Sequence, residues 1–97
     1  MPAYIVFTRE RTTDPAELDT YMKEVAATMK GHPIKILAAY GKQEILEGFP
    51  VEGVVIVEFP TSAEAKAWYN SPEYQKVVQH RFHGAEYRAV LVDGVTP

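Results

Sequence analysis

Two helix starts lie within the single stretch from Thr61 to Phe82, TSAEAKAWYNSPEYQKVVQHRF. The rest of the chain has to fit around a pair of short helices laid end to end. Thr61 followed by Glu64 is a capping box, in which side chains answer the free N–H groups of a first turn. Ser71-Pro72 is a second start: serine accepts from the new first turn, and proline at the first helical position loses only an N–H without a partner. Serine here is read as a cap, with no His-Asp pair nearby to recruit it as a nucleophile. In the second helix Tyr74, Val77, Val78, Arg81 and Phe82 fall three and four apart and share one stripe. A guanidinium is therefore expected on an apolar face, and Arg81 becomes the first candidate for a site.

The remaining segments alternate around this pair. Ala3 to Arg9 is β-branched and aromatic and reads as a strand buried on both faces, followed by a polar turn, Glu10 to Thr13. Asp14-Pro15-Ala16-Glu17 is a strong helix start. The helix places Leu18, Tyr21, Met22, Val25 and Met29 on one stripe until Gly31 and Pro33 end it. Ile34 to Tyr40 is a second strand, with a bend or bulge at Gly41 before Gln43 to Leu46 continues extended. Gly53 to Phe59, GVVIVEF, is the most apolar strand, and Glu58 is its only charge. The last strand is Tyr87 to Val92.

Strand, helix, strand, strand, helices, strand gives an α+β, ferredoxin-like βαββαβ domain over residues 1–97, a four-stranded antiparallel sheet with helices on one face. Three of these strands are apolar at odd and even positions alike, whereas helices cover one face only. The second face then asks for a homodimer joined sheet to sheet.

Composition narrows the partners. A net charge of −3 argues against nucleic acid, which needs a concentrated basic face. With no cysteine there is no disulfide, thiolate nucleophile or cysteine-based zinc site. No stretch approaches the length of a membrane span and Met1-Pro2-Ala3-Tyr4 is no leader, so the expected compartment is the cytoplasm. No phosphate-binding glycine loop or dinucleotide fingerprint is present, and no cofactor is expected.

The runs Val57-Glu58-Phe59-Pro60-Thr61, Ala67 to Tyr74, Arg81 and Leu91-Val92-Asp93-Gly94 resemble the domain-of-unknown-function family thirteen-thirty, in the dimeric α/β-barrel superfamily. The resemblance spans nearly the whole chain and implies a ferredoxin-like protomer whose sheet pairs with a second copy. Superfamily relatives include cofactor-free monooxygenases, dehydratases, isomerases and ligand binders, which leaves the activity open. Where relatives commonly carry Arg-Gly-Gly, this chain reads Tyr40-Gly41-Lys42.

Arg81 is suited to holding a carboxylate or enolate through paired hydrogen bonds and unsuited to serve as a base. Trp68, Tyr69 and Tyr74 gather at the break between the helices, either as core or as walls of a cleft for a small aromatic acid. Glu58 is either the counter-ion of Arg81 or a carboxylate that moves a proton. His32, in a loop, is a second proton-transfer candidate. His80 and His83 are three apart but read as a solvated helix end rather than a metal pair. Two functions follow. In one, a small anionic or aromatic molecule sits between the helix pair and the sheet, bound by Arg81, Tyr74, Trp68, Tyr69 and Glu58, with cofactor-free proton transfer or oxygenation as the enzymatic version. The alternative is a structural or interaction module without a cavity, in which Arg81 and Glu58 form an internal ion pair.

Overall fold

The structure is a computed structural model and describes residues 1–96. Strands β1 (Ala3–Thr12), β2 (Lys35–Ala39), β3 (Gly53–Phe59) and β4 (Ala85–Asp93) form one sheet in the order β2-β3-β1-β4, every neighbour antiparallel. Helices α1 (Pro15–Glu24), α2 (Ser62–Tyr69) and α3 (Pro72–Gly84) lie on one face. This is the ferredoxin-like arrangement. Among the described residues no helix is long and apolar enough to cross a membrane.

The helix starts form as their chemistry dictates. Asp14 accepts from the backbone N–H groups of Ala16 (3.1 Å) and Glu17 (3.4 Å). Thr61 Oγ1 accepts from Glu64 N at 3.2 Å. Ser71 Oγ accepts from Tyr74 N at 3.2 Å and donates to Trp68 O at 2.7 Å, tying the end of α2 to the start of α3. The α1 stripe ends differently from its periodicity. The α-helix stops at Glu24, and Val25–Met29 tightens into a 3-10 turn in which Thr28 Oγ1 donates to Val25 O.

Strand register decides what faces what. Phe7 lies opposite Val55 and Ala89, and Ile5 opposite Val57 and Leu91, so these odd-numbered residues share the helix face. The even positions Tyr4, Val6, Thr8, Val54, Ile56 and Glu58 fall on the other face, where they are half-buried rather than enclosed. Thus β1 is not covered on both sides by its own chain. It also runs on through the expected turn to Thr12, because Arg11 and Thr12 keep pairing with Glu86 and Ala85 past a bulge. In β2 the irregularity sits between Ile36 and Ala38 instead of at Gly41. The expected extended continuation, Gln43 to Leu46, forms no strand: it belongs to an exposed arm between Tyr40 and Val51 that finds no partner strand within the protomer.

The core lies between helices and sheet around Phe7, Val57, Phe59, Trp68, Tyr74 and Val78. At its edge α3 ends against α1 so closely that a Cβ on Gly84 would sit 2.5 Å from Leu18 N. The freed carbonyl of Gly84 accepts from Thr13 N and Asp14 N. His80, expected in solvent, instead bonds Glu17 through Nδ1 at 2.7 Å and joins the same two helices.

Candidate functional site around Arg81

Helix α3 carries Arg81 on its buried stripe, and the residue is only 3% exposed. Among the described residues no carboxylate lies within ion-pair distance, and its buried Nε has no hydrogen-bond partner. What surrounds it is aromatic. The guanidinium carbon lies 4.7 Å from the ring centre of Tyr87, 5.4 Å from Phe82, 5.5 Å from Phe7 and 5.7 Å from Tyr21. Ring faces partly compensate a desolvated cation. They leave its Nε–H unanswered, and a buried donor without an acceptor is costly.

On one side Arg81 opens into a groove of about 400 Å³ between α3 and β4, walled by Tyr69, Phe82, Tyr87 and Ala89. The groove shares Tyr69 and Ala89 with a second hollow that continues along β4 past Ile5, Leu91 and Lys66. On the other side of Phe7, Tyr21 and Tyr87 lies a separate apolar cavity of about 130 Å³, roofed by Tyr40 and floored by Val55 and Val57.

Two phenol pairs brace this region. Tyr21 and Tyr74 share a hydroxyl–hydroxyl bond of 2.9 Å, and Tyr40 and Tyr87 one of 2.5 Å. Tyr40 is held in the left-handed region at φ 55, where a non-glycine residue is strained. Its ring lies over Gly53, where a Cβ would fall 2.4 Å from the ring. Arg9 stacks on the same ring at 5.0 Å while bonding Glu52 at 3.1 Å. Strain at one residue, a glycine beneath it and a cation above fix the Tyr40 hydroxyl on Tyr87.

Burial pushes the phenols of Tyr21, Tyr40 and Tyr74 up. For Tyr21 the neighbouring Tyr74 adds to the effect and for Tyr40 its bond to Tyr87 does so, while the Arg81 charge opposes the shift in all three. A raised folded-state value means that these groups add stability fully below the ordinary tyrosine value of about 10. That contribution is lost as pH rises, because the unfolded chain then releases protons the native state retains. Absorbance titration is expected to show Tyr21, Tyr40 and Tyr74, of the six tyrosines, ionising later than an ordinary phenol, with loss of their protons linked to opening of the fold. Smooth ionisation of all six in the native state would contradict this packing.

The structure gathers some of the expected site residues and separates others. Arg81 and Tyr69 line the groove. Trp68 and Tyr74 are core: Trp68 is 1% and Tyr74 0% exposed, their rings packed 4.2 Å apart. Glu58 lies opposite Tyr4 and Lys35 on the face away from the helices, so the expected ion pair with Arg81 does not form. Strand alternation is the reason: its neighbours Val57 and Phe59 take the buried parity and leave Glu58 the other. His32 follows the 3-10 turn and lines neither the groove nor the cavity. Tyr40, Tyr87 and Tyr21 are the participants that sequence reading passed over. The reading Tyr40-Gly41-Lys42 in place of Arg-Gly-Gly was the only signal of the first.

No curated protein matches the sequence. Among solved structures, a protein of unknown function from Rhodopseudomonas palustris is similar at TM-score 0.75 and 18% identity, over 99% of this chain and 84% of that one. A dimeric ferredoxin-like protein of unknown function from Thermobifida fusca YX gives TM-score 0.65 and 12% identity over 94% and 89% of the two chains. SnoaB, a cofactor-independent oxygenase from Streptomyces nogalater, gives 0.64 and 10% over 99% and 95%. At these identities the likeness is one of fold. The family itself is settled by the sequence, because the model of the domain of unknown function DUF1330 matches residues 2–95 and the chain belongs to that family.

Proposed function

We propose that this chain is a homodimeric binder of small organic anions with aromatic character, one per protomer, held in the groove along β4 with the charged group on Arg81. The observation that carries the reading is the Arg81 guanidinium, buried among rings with Nε lacking an acceptor and open on one side to a groove of about 400 Å³. Structural arginines at such depth are ordinarily answered by a carboxylate or by carbonyls. Tyr69, Phe82 and Tyr87 offer a flat body three aromatic surfaces beside that charge. The uncovered sheet face, and solved neighbours described as dimeric, support the pairing of two copies.

Binding is preferred to turnover. Among the described residues the one carboxylate on the groove, Glu86, is engaged by Arg11 at 2.6 Å, and the expected proton carriers Glu58 and His32 lie elsewhere. In the enzymatic version, cofactor-free proton transfer or oxygenation, the phenols beside Arg81 would supply neutral proton donors, and the ligand would bring its own acidic proton.

A thermal-shift panel tests the reading with benzoate, phenylacetate and 4-hydroxybenzoate set against their uncharged amides. At a hundredfold excess over Kd a ligand adds about 2.7 kcal/mol, which in a domain of this size raises Tm by about 10 °C or more. Carboxylates are expected to shift wild type and amides not, and Arg81→Met is expected to lose the response. Equal shifts in wild type and variant, or no shift with any acid, would remove Arg81 as the anchor.

A further inference from the structure

The helix face of β4 is open over its middle. Ala89 shares the parity of Phe7, its neighbour across β1, yet Phe7 is buried and Ala89 stays exposed. The opening runs from Tyr87, beside Arg81, to Leu91, four residues on, a length of about 13 Å at the ordinary rise of a strand. The groove of about 400 Å³ at the Arg81 end and a hollow of about 220 Å³ at the other share Tyr69 and Ala89, so the two form one trough. Its far end is built by α2. Lys66 and Asn70, four apart and hence on one helix face, both border the hollow and are exposed. Lys66 has no carboxylate within ion-pair distance among the described residues. Between the ends the floor is apolar, made by Ile5, Ala65 and Leu91. At the Arg81 end the acid on the groove, Glu86, is taken up by Arg11.

We propose that the ligand of this trough is an elongated dianion. One carboxylate sits on Arg81, a flat apolar body passes between Tyr69 and Ala89, and a second acidic group at the far end meets Lys66 with the Asn70 amide beside it. The inference rests on the groove reading and adds to it a ligand class and a residue that sets specificity. A short monoanion would answer Arg81 and leave the hollow empty, with its apolar floor in water. A longer body covers that floor, and what it carries at its far end then lies beside a cation. The two cations do different work. Arg81 is already desolvated, so an arriving carboxylate strips no further water from it and gives the orphaned Nε–H an acceptor. Lys66 is exposed and strongly hydrated, so its pairing adds discrimination between far ends more than affinity.

Calorimetric titration with two probes of one shape tests this. The first is biphenyl-4,4′-dicarboxylate, and the second is its half-amide, in which one carboxylate is replaced by a carboxamide. Both can place a carboxylate on Arg81 and cover the same floor, so a difference between them reports the charge at the far end alone. Wild type is expected to bind the diacid about fivefold more tightly than the half-amide, the scale of an exposed ion pair. Lys66→Met is expected to abolish that preference, Lys66→Arg to keep it, and Lys66→Glu to turn it into a preference for the half-amide. The lysine is exposed on α2, so these variants leave the packing between helices and sheet untouched, and the ratio of two affinities within one variant does not depend on its stability. Equal affinities in wild type, or a preference that survives in Lys66→Met, would overturn the dianion while leaving Arg81 as the anchor if the half-amide still fails to bind Arg81→Met. Failure of both probes to bind wild type, or undiminished binding of both to Arg81→Met, would remove the groove reading and the dianion with it.

Discussion

Trp68→Ala is expected to remove about 3–5 kcal/mol of folding stability, enough to lower Tm by roughly 12 °C or more in a domain of this length. Trp68 is where the layers of the molecule meet. Its ring stands edge-on to Phe7 of β1 at 6.5 Å and lies 5.8 Å from Phe59 of β3 and 4.2 Å from Tyr74 of α3. Its Nε1–H donates to Thr28 Oγ1 at 3.1 Å, fastening the 3-10 turn after α1 to α2. Truncation therefore leaves a cavity touching two strands and two helices, with little chance of collapse because each neighbour is fixed by its own element. Trp68→Phe keeps much of the packing and gives up the hydrogen bond, a loss expected near 1 kcal/mol plus whatever ring area is missing. Urea denaturation of the two variants separates the terms. A loss below about 1 kcal/mol for Trp68→Ala would mean that the junction packs elsewhere.

What could be read from the sequence was local. The caps at Asp14, Thr61 and Ser71 are decided by residues within one helical turn, and all three form. Element order then left few ways to assemble the sheet. Facing was harder. In GVVIVEF both parities are apolar, so nothing in the pattern told Glu58 from its neighbours. Only register against β1, with Tyr4 opposite Glu58, places it on the far face. Within the arm between Tyr40 and Val51, the expected extended segment fails to pair for a related reason. Gln43 to Leu46 has strand-like composition, but a strand needs a partner edge, and the protomer supplies none there. The depth of Arg81 followed from its spacing to Tyr74, Val77 and Val78, whereas its ring cage did not. Tyr21 and Phe7 reach it from elements far away in the chain, and the Tyr40–Tyr87 bond spans 47 residues. Long-range pairings of that kind leave no periodic trace.

Among the described residues Arg81 has no carboxylate counterpart, and its Nε has no acceptor. Removing a charge that folding has buried without a carboxylate should relieve desolvation, even though four ring contacts are weakened. Methionine keeps the length and fills the same apolar stripe. Sites that hold an unanswered group for a ligand characteristically gain stability when that group is lost. Chemical denaturation of ligand-free Arg81→Met beside wild type tests this most directly. The expected result is a variant within about 1 kcal/mol of wild type, or more stable than it. A loss above about 3 kcal/mol would show that the guanidinium holds the fold together and is not reserved for an incoming anion.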